Sequence, residues 1–197
     1  MATASPARPP VFNLPNYLTA SRLVLAFVLF GLIAWAQWVA CVVVFAIAAV
    51  TDYLDGYFAR KQGICSPVGR NFDPLVDKVL ICGAYIFLVP IPDSGLTAWM
   101  ATLVVARELI ITSLRGFLEN AGINFGADWL GKIKMVLQCA TLFGVFAAMH
   151  AAGDDSLARG LQLIRDVLIY AMLAATALSG LQYLWRAAAA YNFAGTT

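Results

Sequence analysis

Charge is what this chain has least of. Only 12% of its 197 residues are Asp, Glu, Lys or Arg, whereas 61% are hydrophobic, and the mean hydropathy is +0.79. That composition lies outside the soluble globular norm and leaves no room for a separate soluble domain. The few charges nearly balance, giving a net charge of +2. With no long basic patch to neutralise phosphates, no nucleic-acid partner is expected. Histidine is almost absent. The single one, His150, falls at the end of an apolar run and reads as a surface residue, not a proton carrier. The four cysteines, Cys41, Cys65, Cys82 and Cys139, match no zinc spacing, and three of them sit in apolar runs as small packing residues. The opening MATASPARPP has no apolar core before its prolines, unlike a signal peptide, and is expected to be a short disordered tail.

What the chain does have is apolar length. A transmembrane helix needs about 20 mostly apolar residues, so an all-α integral membrane protein of six spans is expected. The spans read as 17–35, 39–60, 73–90, 96–117, 129–150 and 164–185. Residues 1–15 form a tail and interfacial lead-in, 16–191 a single membrane domain and 192–197 a C-terminal tail. Asn16 or Thr19 is a candidate cap for the first span. Pro74 suits the first turn of the third. Five tryptophans (Trp35, Trp38, Trp99, Trp129 and Trp185) are candidate interface anchors. Arg60, Lys61, Arg70, Arg115, Lys132, Lys134 and Arg186 fall on one side of such a topology. The positive-inside rule makes that side, with both termini, cytoplasmic. Arg159 and Arg165 run against the trend. The expected location is the cell inner membrane, multi-pass.

One stretch breaks the apolar pattern, DYLDGYFARKQGICSPVGRNFDPLVDK over residues 52–78. Residues three or four apart on a helix share a face, so Asp52 pairs with Asp55, and Asp73 with Asp77. The short connection between the two spans suggests antiparallel neighbours whose carboxylates converge. Intramembrane charge costs at least roughly 2.5–3.5 kcal/mol per residue, and clustered carboxylates repel one another. A divalent cation relieves both penalties. Oxygen-only ligands favour Mg²⁺ or Mn²⁺, and the number of acids suffices for two ions. Gly56 and Gly69 would let a ligand approach the backbone. The plainer alternative is that the acids pair with Arg60, Arg70 and Lys78 as helix-end charges. A divalent-cation transporter is a further alternative, although its acids would be distributed through the membrane and these cluster at one side.

The full pattern, Asp52-x-x-Asp55-Gly56-x-x-Ala59-Arg60, then Gly69-x-x-x-Asp73-x-x-x-Asp77, resembles the signature of the CDP-alcohol phosphotransferases without a mismatch. The stretches NLPNYLTASR, FDPLVDK, ARELIITSLR and WLGKIKMVLQ are similar to the branch of phosphatidylglycerophosphate synthases. Ser66 stands where that branch often has Thr, and Met135 where Thr is common. The resemblance implies a six-span helical enzyme, usually a homodimer among membrane lipids, with its active site open to the cytoplasm. It implies a two-metal centre on Asp52, Asp55, Asp73 and Asp77, with Asp77 also the general base. Asn16, Thr19, Gly56, Arg60, Ser66 and Gly69 would contact the CDP part of the donor, CDP-diacylglycerol. A glycerol 3-phosphate acceptor needs cations, and the candidates are Arg107, Arg115, Lys132 and Lys134. Arg107 lies deepest in a span and is the hardest to explain otherwise, whereas Lys132 and Lys134 could simply snorkel. Other branches of the family, using inositol phosphate, serine or a lipid alcohol, differ only in that acceptor pocket.

Overall fold

The computed structural model describes residues 14–62, 67–120, 129–151 and 155–194, with side chains described for 20–51, 75–118, 129–151 and 157–189. Six helices account for nearly all of it. They are α1 (Leu14–Ala34), α2 (Trp38–Gln62), α3 (Pro67–Leu88), α4 (Ala98–Asn120), α5 (Trp129–His150) and α6 (Asp155–Ala194). The expected all-α class is therefore found. Two stretches among the described residues are long and apolar enough to cross a membrane, Trp129–His150 and Leu157–Ala189. Ala20–Ala34 and Trp38–Thr51 are shorter apolar helical stretches.

Three expectations about element boundaries change. α1 begins at Leu14, so Asn16 and Thr19 lie inside the helix instead of capping it. α3 begins at Pro67, which takes the first helical position, where a missing N–H costs nothing. Pro74 thus falls in the helix interior, where it removes one backbone hydrogen bond. α6 runs for 40 residues, about 60 Å at 1.5 Å per residue and twice the roughly 30 Å of a hydrocarbon core. Charged residues near its start, Arg159 and Arg165, are good helix formers and do not interrupt it.

The helices pack as a closed ring in the order α1, α2, α5, α6, α4, α3, with α3 and α5 also touching across the middle. Among the described residues α2 and α3 do not pack directly on each other; α1 packs against both. The turns where the two were expected to bring their acids together, at the end of α2 and the start of α3, have their side chains outside the described residues. The α1–α3 seam is tight because Gly83 has no side chain. A Cβ there would fall 2.2 Å from Phe30 Cζ, and Phe30 stacks on Phe87 with ring centroids 4.9 Å apart. Phe45 of α2 meets Phe143 and Phe146 of α5 edge-on. Across the ring, Tyr85 Oη donates to the Gln138 carbonyl at 3.1 Å.

The turns are specific. α1 ends in a Schellman motif: Gln37 N donates to Leu32 O at 2.9 Å and Ala36 N to Ile33 O at 3.0 Å. Ala36 holds φ 54° to make it, at a cost of roughly 1–2 kcal/mol. Between α3 and α4, Asp93 and Gly95 both have positive φ. Arg165 of α6 reaches into this turn and donates to the Asp93 carbonyl, while its Nε holds Asp166 Oδ1 at 2.8 Å. A Cβ on Gly95 would lie 2.8 Å from Arg165 Nε. The arginine that ran against the charge trend is thus a brace for a loop.

Large apolar side chains left exposed, among them Phe27, Val136, Leu163 and Leu181, form the outward surface expected of helices facing hydrocarbon. Trp35, Trp99 and Trp129 are exposed near helix ends, Trp185 is exposed within α6, and Trp38 packs against the core. His150 is exposed at the end of α5. Cys41 is buried, and Cys82 and Cys139 are half-buried.

Candidate active site

The acidic stretch divides between two helices. Asp52 and Asp55 lie in the last turns of α2, and Asp73 and Asp77 in the first half of α3. The side chains of Asn16, Thr19, Asp52, Asp55, Gly56, Arg60, Gly69 and Asp73, and the whole of Ser66, lie outside the described residues. Asp77 lies within them. Its Oδ1 accepts from Arg22 Nη1 of α1 at 2.5 Å. The arginine is 1% exposed, while the carboxylate is 27% exposed. A buried guanidinium needs such a partner, because an unpaired buried charge costs roughly 3–5 kcal/mol. Arg22 therefore fixes Asp77 at the mouth of the α1–α3 seam.

Lys78 follows Asp77 and, about 100° further round the helix, faces α4. Its ammonium donates to Thr112 Oγ1, and that hydroxyl donates onward to the Glu108 carbonyl at 2.6 Å. Two consecutive residues of α3 thus join Asp77 to a cationic side.

The cationic side is built from three more helices. Arg107 Nη2 donates to Ser179 Oγ of α6 at 3.1 Å, and its Nη1 lies 3.3 Å from Glu108 Oε1. The Lys134 ammonium of α5 pairs with the same Glu108 oxygen. Arg115 Nε donates to Tyr183 Oη at 3.4 Å, with its guanidinium 5.8 Å from the ring centroid. Lys78 lies within electrostatic range of Arg107 and Arg115, and Lys134 within range of Arg107 and Lys78. Four cations on three helices therefore lie near one another, and two of them, Arg107 and Lys134, share the Glu108 carboxylate. Arg107 Nε is a buried donor with no hydrogen-bond acceptor.

Of the four expected acceptor cations, the structure brings together Arg107, Arg115 and Lys134. Lys132 is exposed on another face of α5, with its ammonium 5.8 Å from the Trp129 ring centroid. Sequence reasoning missed Arg22, Lys78, Glu108, Ser179 and Tyr183 as site residues. The cost of intramembrane charge, applied to Arg107, would have flagged Arg22 and Glu108 equally. Ser179 and Tyr183 carried no such signal.

Comparison with known proteins decides the family. The family model for CDP-alcohol phosphatidyltransferase matches residues 12–179. The chain belongs to the CDP-alcohol phosphatidyltransferase family. Among its relatives, a Bacillus subtilis protein is 34% identical over 139 residues, covering 63% of this chain and 71% of that protein. A Yersinia pestis protein is 32% identical over 178 residues, covering 87% and 93%. A Salmonella choleraesuis protein is 35% identical over 137 residues, covering 66% and 75%. Each of these is named CDP-diacylglycerol–glycerol-3-phosphate 3-phosphatidyltransferase.

Members of the family depend on divalent cations. No group of three or more potential ligands occurs among the described residues, and three of the four aspartates have their side chains outside them. The donor set suits a hard cation, being all carboxylate oxygen. Asp77, the one described member, is partly exposed and not sealed in the core.

Proposed function

We propose that this protein transfers the phosphatidyl group of CDP-diacylglycerol to glycerol 3-phosphate, giving phosphatidylglycerophosphate and CMP. The observation that carries the acceptor assignment is the cluster of Lys78, Arg107, Arg115 and Lys134 beside Asp77. A phosphate dianion in a bilayer-embedded site needs such charge. Serine and neutral lipid alcohols do not. The names of the relatives, which match this chain along most of its length, support the same reading.

In this reading Asp52, Asp55, Asp73 and Asp77 hold two Mg²⁺ or Mn²⁺ ions. When bound, the ions withdraw charge from the donor pyrophosphate and stabilise the departing CMP. Asp77, held by Arg22, takes the proton from the primary hydroxyl of glycerol 3-phosphate as that oxygen attacks the β-phosphorus in line. Asn16, Thr19, Gly56, Arg60, Ser66 and Gly69 contact the CDP moiety. The acceptor's phosphate sits among Arg107, Arg115, Lys134 and Lys78, which orient the hydroxyl toward Asp77 and so lower the entropic part of the barrier. The acyl chains remain in the hydrocarbon layer. An apolar groove of about 450 Å³ between α3 and α4, lined by Ile86, Val89, Ala101, Val105 and Leu109, opens to that side.

All six helices cross the inner membrane in this reading, as one domain over 16–191, with both termini and the site on the cytoplasmic face and two chains forming a homodimer. The test is direct. Purified protein given CDP-diacylglycerol, glycerol 3-phosphate and Mg²⁺ should release CMP and form phosphatidylglycerophosphate. No CMP release with glycerol 3-phosphate, but release with another alcohol, would move the protein to another branch of its family.

A further inference from the structure

The transfer as described leaves one buried charge without a role. Glu108 sits among the cations, 8% exposed, and accepts from both Lys134 and Arg107. Those two donors are also the ones that a bound acceptor phosphate would require. Carboxylate and phosphate oxygens are interchangeable partners for ammonium and guanidinium groups. Glu108 and the acceptor therefore contend for the same N–H groups.

Two physical needs give this contest a purpose. Without acceptor, four cations on α3, α4 and α5 would repel one another in a poorly hydrated site. An internal anion keeps the empty site assembled. After reaction the problem reverses. The new bond forms at the acceptor's hydroxyl, so its phosphate monoester is unchanged and the product still carries the group that the cations hold. Tight phosphate binding would then favour substrate and product alike, lowering KM without raising kcat and slowing departure.

We propose that Glu108 is an internal counter-anion of the acceptor site, occupying Lys134 and Arg107 when the site is empty and weakening the hold on phosphate so that the phosphorylated product leaves. This rests on glycerol 3-phosphate being the acceptor. Glu108 is a positioning residue, acting on substrate through Lys134 and Arg107. A purely structural Glu108, serving only to tie α4 to α5, makes the opposite prediction: its loss would disorder the cations and raise the KM.

The test compares the full chain and its Glu108→Gln variant in mixed micelles with saturating CDP-diacylglycerol. Glutamine keeps the shape and the accepting oxygen but removes the charge. The KM for glycerol 3-phosphate should fall roughly tenfold, and inorganic phosphate should inhibit at roughly tenfold lower concentration. kcat should fall as product is retained. An unchanged or raised KM would overturn the proposal. If Glu108→Gln does not accumulate in membranes, Ser179→Asp against Ser179→Asn reads the same charge from the other side of Arg107. The aspartate variant should then have the higher KM, and equal values would overturn the proposal. A wild-type protein that makes no lipid from glycerol 3-phosphate would instead remove the assignment on which the proposal stands.

Discussion

Two arginines in this molecule, Arg165 buried and Arg107 half-buried, have matching local chemistry and different surroundings. Arg107 and Arg165 each precede an acidic residue and hold it. Each also reaches to another element, Arg107 to Ser179 of α6 and Arg165 to the carbonyl of Asp93 in the α3–α4 turn. Around Arg165 the donors are met by a backbone carbonyl and a carboxylate, with Gly95 pressed against the guanidinium. Around Arg107 one buried donor has no acceptor, and further cations lie within electrostatic range. A satisfied buried charge fixes structure, whereas an excess of like charge around Glu108 is what the proposed acceptor phosphate would offset. In the proposed function, the surroundings of each arginine, and not its depth, separate bracing from binding.

The contrast can be broken from several directions. The largest effect belongs to the reacting end. Asp77→Asn, at unchanged protein level, should lower CMP release by at least about 10²–10⁴-fold, the scale of a lost general base. EDTA should do likewise, with Mg²⁺ or Mn²⁺ restoring the rate. Substantial activity in Asp77→Asn would remove Asp77 as the base, and activity surviving EDTA would remove the metal centre.

Arg107→Ala comes next. Truncating one member of a buried charge cluster costs about 2–5 kcal/mol of binding, so the KM for glycerol 3-phosphate should rise at least roughly thirtyfold while that for CDP-diacylglycerol moves little. Equal increases in both would make Arg107 structural, like its counterpart. Arg165→Ala should show the reverse. Thermal unfolding in detergent should reveal a loss of about 1–3 kcal/mol from the unsatisfied turn carbonyl, with the acceptor KM within about twofold of wild type. A selective KM effect there would erase the distinction. The smallest change is expected for Lys132→Ala. Its ammonium rests over the exposed Trp129 ring, a contact worth about 0.5–1 kcal/mol, and acceptor kinetics should stay within about twofold. A rise as large as that of Arg107→Ala would return Lys132 to the site.

Much of this was legible in the sequence, and the reason differs by region. Helix α5 begins and ends at the residues expected, Trp129 and His150, because an apolar run bounded by polar loops leaves little freedom. The acids of 52–77 stand out in the sequence because helix spacing and motif coincide over a short stretch, and of their side chains only that of Asp77 is among the described residues. α3 was misjudged at its start. Pro67 and Pro74 both suit a first turn, and only the fold shows that α3 takes the earlier one. The length of α6 was hidden because hydropathy registers the membrane-crossing part and not the polar turns that continue the helix. The partners of the cations were hidden for a stronger reason. Ser179 and Tyr183 lie 72 and 68 residues from Arg107 and Arg115, and nothing local marks a serine or tyrosine as the group that will receive an arginine.

The acceptor's identity is the central claim. The most direct measurement gives the purified protein CDP-diacylglycerol with an equimolar mixture of glycerol 3-phosphate, inositol phosphate and serine, then identifies the lipid formed by mass. Phosphatidylglycerophosphate as the dominant product is the expected result. A dominant phosphatidylinositol phosphate or phosphatidylserine would contradict it and show that the cluster around Arg107 selects a different alcohol.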